Sequence, residues 1–489
     1  MERIDKQKLN NKISAAIICT LLVCVPLFLH DKYFDALEAK ALAYRVISYI
    51  ALVFIAVGLM IARDKKAFFY DMSLSDYGIL GFSLCALISG LLCGNIKASF
   101  FGDEGWSVGF YVILSLCIIY FFVSRNLFPD YDFKNWFFVV CNLIFIIGIV
   151  RFFGFDLFSL HSGMEEKQIF QYISTFGNTN WYLVYLCCTV IFTAVIFLFE
   201  KEKKRCYIQT VTLILGIFNI IVGICDAVYF ILTAVVIFVA PAMRKELLCL
   251  KRACIILLIF GVEIILCDLL PCFDGLLATA EGLSLILIDF RVGLIVAAVS
   301  LILLLLLIKY GEKITDKSLR NISVAMCVIA VASVIGYVTF AVLTFSDNFG
   351  TRRGLIWRVC TESFLDFGFF EKLIGVGPEM LKSSLQEISD TFGRLTVSAH
   401  SEFFQVLLSE GILGFAFWLT AWFGLFASYF KYKIYKSEAL PYFAALVGIF
   451  AQGFFNSSMA ATIMLTVIFA AIYKSKIIKL KGEKNGKGS

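Results

Sequence analysis

The stretch Thr179–Phe199 reads TNWYLVYLCCTVIFTAVIFLF, and none of its side chains is charged. A run of about 20 apolar residues is the length that an α-helix needs to cross the hydrocarbon core of a membrane. Over the whole chain of 489 residues, 60% are hydrophobic and 16% are charged, and the mean hydropathy is +0.88. This composition excludes a water-soluble protein and indicates a polytopic membrane protein.

Similar apolar runs recur along the chain. Because an open sheet would leave backbone groups unpaired in lipid, we expect these runs to be helical. The sequence predicts an all-α polytopic membrane protein with about 12–14 transmembrane helices, forming one integral membrane domain over residues 1–489. Residues 208–240 are nearly continuous and fit either two spans around a tight turn or one span with a re-entrant piece. The fourteen candidate spans lie near residues 13–30, 41–61, 77–93, 107–123, 136–153, 179–199, 207–224, 226–241, 253–270, 283–308, 321–345, 404–430, 439–455 and 458–473.

The Lys and Arg residues predict the orientation of these spans, because cytoplasmic loops retain positive charge during insertion. With the N-terminus inside, the N-terminal segment, the alternate loops and the basic tail at 474–489 together hold 30 of the 43 Lys and Arg residues. We therefore expect both termini to be cytoplasmic and the protein to lie in the cytoplasmic (inner) membrane. The long polar segment 346–402 then forms one large extracytoplasmic loop, in which we expect short helices.

Few side chains are suited to metal binding. Histidine occurs at positions 30, 161 and 400, and the sequence contains no paired CxxC or HExxH motif. Asp130 and Asp132 form a DxD pattern, but they fall in a short predicted inner loop, where a solvated turn is the ordinary interpretation. We expect no metal, no cofactor and no nucleic acid partner.

Arg291 is an unusual residue for a membrane span. It lies about eight residues inside the predicted tenth span. A central arginine in a bilayer costs about 3 kcal/mol on insertion scales, so a partner is expected. Asp289 could pair with it, or the side chain could snorkel outward. Alternatively, its guanidinium could bind phosphate oxygens within the membrane.

Three arginines and a tryptophan cluster at the start of the large loop, in TRRGLIWRV. They are Arg352, Arg353, Trp357 and Arg358. Arg and Trp are both common at the membrane interface, so simple anchoring explains them. The functional alternative is recognition of a phosphate beside a sugar, with Trp357 as a stacking surface.

His400 opens the sequence AHSEFFQVLLSEGILG, where the loop re-enters the membrane. A surface histidine at a helix start is unremarkable by itself. Its imidazole is also the side chain best suited to proton transfer near neutral pH. The intervening GVGP turn at 375–378 is predicted to be a structural bend between two short amphipathic helices.

These motifs occur in an informative order. GNTNW at 177–181, the Arg291 span, RRGLIW, LIGVGPEM and AHSEFFQVLLSEGILG together resemble the O-antigen ligase and O-antigen polymerase superfamily over roughly residues 177–430. Members of that superfamily are membrane glycosyltransferases that act on undecaprenyl-diphosphate-linked glycans. The resemblance implies that the large loop carries the active site.

The resemblance also implies roles for individual residues. Arg353 and Arg291 would bind the diphosphate of the donor, with Arg352, Trp357 and Arg358 as further substrate-binding candidates. His400 would assist the acceptor as the catalytic residue. A second candidate for the arginine-bearing span begins at Asp226 and contains no matching arginine; if it is the true counterpart, Arg291 loses this role.

The function implied by the resemblance is metal-independent glycosyl transfer at the outer face of the membrane. Its donor would be an undecaprenyl-diphosphate-linked glycan, its acceptor a glycan, lipid or protein, and other polysaccharide-assembly proteins are possible partners. Polymerase and ligase share donor chemistry, so the sequence leaves both open. Two other hypotheses are a lipid-linked oligosaccharide flippase and a non-catalytic scaffold. The absence of a clear repeat and the large asymmetric loop favour catalysis over transport.

Overall fold

The computed structural model describes residues 2–62, 66–102, 107–128, 131–164, 169, 172–244, 246–270, 288–382, 384–392 and 398–486. Each of the fourteen predicted spans coincides with one long helix in this part of the chain. The fourteen helices are α1 (Glu2–Leu27), α2 (Ala36–Ala62), α4 (Leu74–Leu92), α6 (Phe110–Asn126), α7 (Lys134–Phe152), α8 (Thr179–Phe199), α9 (Lys203–Val222), α10 (Ala227–Met243), α11 (Leu247–Leu269), α12 (Phe290–Tyr310), α13 (Asp316–Leu343), α17 (Glu402–Tyr432), α18 (Leu440–Gln452) and α19 (Ala460–Gly486).

Short elements connect the long helices. Three of them lie in the large loop, as predicted, and a two-stranded antiparallel sheet pairs Tyr172 with Asn178 and Ile173 with Gly177. The short helices are α3 (Lys66–Phe69), α5 (Ile96–Phe101), α14 (Phe349–Asp366), α15 (Phe369–Ile374) and α16 (Gln386–Phe392), the 3₁₀ turns are Leu157–Ser159, Gly311–Lys313 and Ile434–Lys436, and the strands are β1 (Tyr172–Ile173) and β2 (Gly177–Asn178).

Ten of the described helices are long and apolar enough to cross a membrane, and α6, α10 and α18 are shorter apolar helices. The prediction of an all-α polytopic membrane protein is confirmed. The nearly continuous region 208–240 forms two helices, α9 and α10, joined by a short turn. The chain is therefore a membrane protein whose core consists of packed helices.

Burial is uneven across the bundle. Helix α8 is the most buried of the candidate spans, and its Phe192 contacts the rings of Phe137, Tyr442 and Phe469. Helices α12 and α13 lie at the periphery and leave most of their apolar side chains exposed. Such an exposed apolar surface is what lipid contact requires in a membrane protein.

A buried ion cluster joins the start of α4, the end of α6 and the middle of α19. Asp76, in the first turn of α4, lies 2.8 Å from Arg125 Nη2, 2.8 Å from Lys474 Nζ and 2.9 Å from the Tyr120 hydroxyl. The Asp76 and Arg125 side chains are 0% exposed, and that of Lys474 is 2% exposed. These three residues were all predicted to lie on the same side of the membrane, and the cluster brings them together.

Segments predicted to face the other side also meet. The Glu379 carboxylate in the large loop accepts a hydrogen bond of 3.0 Å from the Val108 backbone N–H, just before α6. The Tyr33 hydroxyl donates to the Ser174 carbonyl at 2.6 Å, joining the α1–α2 connection to the strand segment. The large loop therefore packs on the end of the bundle opposite the ion cluster.

Helix α17 is interrupted at Gly411, where φ is 67° and ψ is −171°. The break frees the carbonyls of Leu408 and Ser409, which accept hydrogen bonds from the backbone N–H groups of Val376 (3.0 Å) and Gly377 (2.9 Å). The GVGP turn is thus the predicted bend between α15 and α16, and it also docks the large loop onto the interrupted helix.

Candidate functional site

The large loop has its own small hydrophobic core. Side chains of α14 pack against residues between α15 and α16 and against the start of α17. Cys360 lies in this core with 0% exposure, and burial raises the pKa of its thiol to about 12. Because the thiolate is the reactive form, Cys360 is a packing residue. The loop is therefore a folded unit that can hold side chains in fixed positions. The core consists of Ile356, Val359, Cys360, Leu381, Leu385, Ala399 and Leu408.

Arg353 projects from α14 into the bundle. Its Nε donates to the Phe455 carbonyl at 2.9 Å, its Nη2 to Asn456 Oδ1 at 3.3 Å, and its Nη1 to the Gly350 carbonyl at 2.9 Å. Burial lowers the pKa of this guanidinium, although an arginine stays charged at neutral pH. No carboxylate in the described part of the chain forms an ion pair with Arg353. Its partners are neutral oxygens, so its positive charge remains available to an anion.

The neighbouring arginines differ from Arg353. Arg358 is held by Asp347 and Glu362 at 3.1 Å each, and these hydrogen bonds raise the pKa of its guanidinium. Arg352 is exposed and has a left-handed backbone, with φ of 67°. The TRRGLIWRV segment therefore contains one arginine with two carboxylate partners, one exposed arginine and one partly buried arginine hydrogen-bonded to neutral oxygens.

Trp357 faces the interior of the loop. Its ring lies 6.5 Å from Phe345, 6.1 Å from Phe349 and 6.3 Å from Phe404. Its indole Nε1 is buried without a hydrogen-bond partner among the described residues. In this arrangement its ring packs with other aromatic rings.

His400 lies in a tight turn immediately before α17. Its φ of 46° is left-handed, a conformation that is uncommon outside glycine and often found at functional sites. Its backbone N–H donates to Ser398 Oγ at 3.2 Å, and Ser398 Oγ donates to Ser457 Oγ at 3.0 Å. The Ala399 N–H donates to Gln405 Oε1 at 3.0 Å. Hydrogen bonds therefore fix the backbone that presents His400.

One short segment joins Arg353 to the turn that carries His400. This GFFNSS segment, residues 453–458, connects α18 to α19. Phe455 and Asn456 bind Arg353, and Ser457 binds Ser398. Sequence reasoning missed the segment, because it is short and uncharged. The available signal was the polar run NSS after a glycine between two apolar spans.

The position of Arg291 in its helix differs from the prediction. The structure begins helix α12 at Phe290, so Arg291 lies in the first turn of this helix rather than eight residues inside it. The cause is Asp289, whose carboxylate accepts a hydrogen bond of 2.8 Å from the Arg291 backbone N–H and caps the helix. The Arg291 side chain is exposed, and among the described residues no hydrogen bond or ion pair joins it to Arg353 or His400.

The other candidate span lies next to Arg353. Cys225 precedes α10, and burial raises the pKa of its thiol while the nearby Arg353 guanidinium partly offsets the rise. Phe230 of the same helix contacts the ring of Phe455 at 5.5 Å. The structure therefore brings the start of α10, beside Asp226, to the GFFNSS segment.

The described residues around Arg353 and His400 form no group that could hold a metal ion. Among the described residues, no three His, Cys, Asp or Glu side chains meet in a group that could hold a metal ion. Asp130 of the DxD pattern lies outside the described residues, and Asp132 pairs with Lys134 and Arg205 at 3.6 and 3.4 Å. The described contacts of Asp132 are those of a solvated turn.

Comparison with known proteins gives one finding. The family model described as O-antigen ligase matches residues 275–419, a range that contains α12, α13, the large loop and the first part of α17. No curated protein matches the chain. The match includes Arg353 and His400. Residues 275–419 are thus similar to the O-antigen ligase family, and the predicted resemblance to the O-antigen ligase and O-antigen polymerase superfamily is confirmed over this range.

Proposed function

We propose that this protein transfers a glycan from an undecaprenyl-diphosphate-linked donor to a glycan or other acceptor, at the outer face of the cytoplasmic membrane. The observation that carries the proposal is the arrangement around the GFFNSS segment. A partly buried arginine with no carboxylate partner among the described residues binds this segment directly, and the turn that carries His400 binds it through Ser398. In a glycosyl transfer from a lipid diphosphate, a cation can stabilise the leaving group and a base can accept the proton of the acceptor hydroxyl.

Arg353 acts on the leaving group. As the acceptor oxygen bonds to the anomeric carbon, the bond from that carbon to the phosphate oxygen breaks, and its electron pair moves to the diphosphate. A positioned guanidinium in a site that excludes water stabilises the charge that grows there, and it does so without reorganising. Arg352, exposed beside it, is suited to the outer phosphate oxygens. We assign Trp357 to shaping the loop around the donor, Arg358 to a minor supporting contact at the exposed surface of the loop, and Arg291 to anion binding nearer the membrane edge.

His400 acts on the acceptor. Its imidazole accepts the proton of the attacking hydroxyl, a contribution that is typically about 100-fold to 10,000-fold in rate. A single direct attack inverts the configuration at the anomeric carbon. Because the guanidinium supplies the positive charge, the reaction proceeds without a metal ion.

The test uses purified protein in nanodiscs with a lipid-diphosphate oligosaccharide as donor and acceptor, in EDTA. Wild type should form new glycosidic bonds, and His400→Ala should lose at least 100-fold in rate while remaining folded. Arg353→Lys retains a charge but loses the planar fork and should also lose most activity. His30→Ala is the matched control, since His30 is an exposed histidine paired with Asp35 at 2.7 Å. Full activity of His400→Ala would remove that residue from the mechanism.

Two further outcomes distinguish related functions. Movement of labelled lipid across the bilayer without a new glycosidic bond would indicate a flippase instead. In cells, a deletion strain that accumulates single repeat units has lost a polymerase, whereas one that accumulates long lipid-linked chains has lost a ligase. Glycan analysis of that strain therefore decides between the two reactions.

A further inference from the structure

A cavity of about 130 Å³ lies beneath the GFFNSS segment, between α4, α6, α17, α18 and α19. Most of its wall is apolar and includes the rings of Trp418 and Phe450, which stack at 6.1 Å and 27°. Its polar end is formed by Glu402, Gln452 and Asn456. The cavity therefore has an apolar wall and one hydrogen-bonding end.

The polar end has unused hydrogen-bonding groups. Gln452 is 1% exposed, and both its amide oxygen and its amide nitrogen lack a partner among the described residues. Asn456 is 4% exposed, and its Nδ2 likewise has none, although its Oδ1 accepts from Arg353. Leaving a buried polar group unpaired costs about 1–3 kcal/mol. Three such atoms at one cavity indicate that a bound ligand supplies their missing hydrogen-bond partners.

Glu402 is held rigidly at the same place. Its Oε2 accepts from the Ser458 backbone N–H at 2.6 Å, and its own backbone N–H donates to the Gly453 carbonyl at 2.7 Å. Glu402 also lines a second cavity of about 40 Å³ next to the first. In the described part of the chain, no Lys, Arg or His lines either cavity. A carboxyl group with no cation beside it offers nothing that attracts a diphosphate, and it can form hydrogen bonds with hydroxyl groups.

We propose that this cavity binds one neutral sugar ring of the acceptor. The ring's hydroxyl groups would bind Glu402, Gln452 and Asn456, and its C–H face would lie against Trp418 and Phe450. An apolar cavity of about 150 Å³ holds a benzene molecule, so the 130 Å³ here is of the size of a ring core, and the hydroxyl groups of the sugar would extend into the adjacent cavity of about 40 Å³. Because Asn456 contacts both Arg353 and the cavity, the ring lies beside the donor diphosphate. The proposal rests on the function proposed above and adds the acceptor side of the same site.

The test is photolabelling in nanodiscs with a diazirine derivative of octyl β-D-glucoside, kept below its micellar concentration. We expect labelling of peptides that contain residues 449–458, and competition by octyl β-D-glucoside but not by octyl phosphate. Glu402→Gln and Gln452→Leu should each reduce this labelling roughly tenfold, the loss of one hydrogen bond to a charged or buried group. Gln452→Leu removes a buried unpaired amide, so it should fold at least as well as wild type. Thr420→Val is the control, because the Thr420 hydroxyl bonds to the Ala416 carbonyl of its own helix.

Two results would overturn the proposal. Equal competition by octyl phosphate would show that the cavity binds an anionic ligand. Unchanged labelling of both Glu402→Gln and Gln452→Leu would show that these polar side chains do not contribute to binding. Failure of the proposed function is a different result. A wild-type protein that shows this labelling pattern but transfers no glycan would contradict the transfer reaction and leave the sugar site standing.

Discussion

Arg353 and Asn456 are 103 positions apart in sequence, yet Arg353 Nη2 lies 3.3 Å from Asn456 Oδ1. The bond joins the large loop to the connection between two helices. Because the partner is an amide and not a carboxylate, the guanidinium is positioned without being neutralised. A buried arginine paired with a carboxylate would resist binding a second anion.

Asn456→Asp tests this arrangement directly. The new carboxylate has nearly the same shape as the amide but forms an ion pair with Arg353, so it competes with the donor diphosphate. We expect the KM for the lipid-linked donor to rise at least tenfold, with a smaller change in kcat, because a charged hydrogen bond is worth about 1.5–3 kcal/mol. Steady-state kinetics with varied donor measure this. An unchanged donor KM would contradict the role given to Arg353.

Arg358→Gln should behave differently from changes at Arg353. Arg358 is 38% exposed in its side chain, and its partners Asp347 and Glu362 are about half exposed. Exposed ion pairs contribute little to stability because water and salt screen them. We expect turnover within about twofold of wild type, measured in the same nanodisc assay. A loss as large as that of Arg353→Lys would place Arg358 in contact with substrate.

Gly411→Ala should destabilise the protein. The φ and ψ at Gly411 fall in a region that is essentially restricted to glycine, where another residue costs about 1–3 kcal/mol. A Cβ there would also lie 2.5 Å from the backbone nitrogens of Gly375 and Ile374. The unfolding temperature in detergent should fall. Gly336→Ala, in a helix with nothing within 4 Å of the added Cβ, should leave that temperature unchanged or raise it slightly.

Asp76→Asn should destabilise the opposite end of the bundle. It would leave the buried Arg125 without its carboxylate partner and Lys474 with only Asp71, at 3.7 Å, and breaking a buried ion pair costs about 3–5 kcal/mol. The unfolding temperature measures the effect, and Asp132→Asn is the control because Asp132 is 37% exposed. Equal stability of the two variants would mean that water reaches the cluster.

The helices were predictable because hydropathy acts locally. Each span needs about 20 apolar residues, and that requirement is visible in sequences such as Thr179–Phe199 without knowledge of any partner. The division of 208–240 into two helices was left open because the turn between α9 and α10 is short and mostly apolar. The depth of Arg291 in its span was predicted incorrectly. Because the residues before Asp289 are apolar, the sequence did not reveal that the helix begins at Phe290, where the Asp289 carboxylate caps it.

The site was harder to predict, because its parts meet through long-range contacts. His400 and Arg353 were found from local patterns and from the family resemblance. The GFFNSS segment carries no charge and no catalytic residue type, and its importance appears only when Asn456 and Ser457 are seen to bind two distant parts of the loop. The unpaired amide of Gln452 has no sequence signature either, since burial in a cavity depends on five helices.

The interruption of α17 at Gly411 limits how the loop can move. The carbonyls of Leu408 and Ser409 have lost their helical partners, and the Val376 and Gly377 amides supply replacements. Lifting the loop would leave three of these groups unpaired, at about 1–3 kcal/mol each where they are buried, whereas the Ser409 carbonyl would still accept from Ser89 Oγ at 2.8 Å. A hinged lid is therefore energetically disfavoured. Under the proposed function, substrates would enter and products would leave laterally, between helices, while the large loop keeps its position on the end of the bundle.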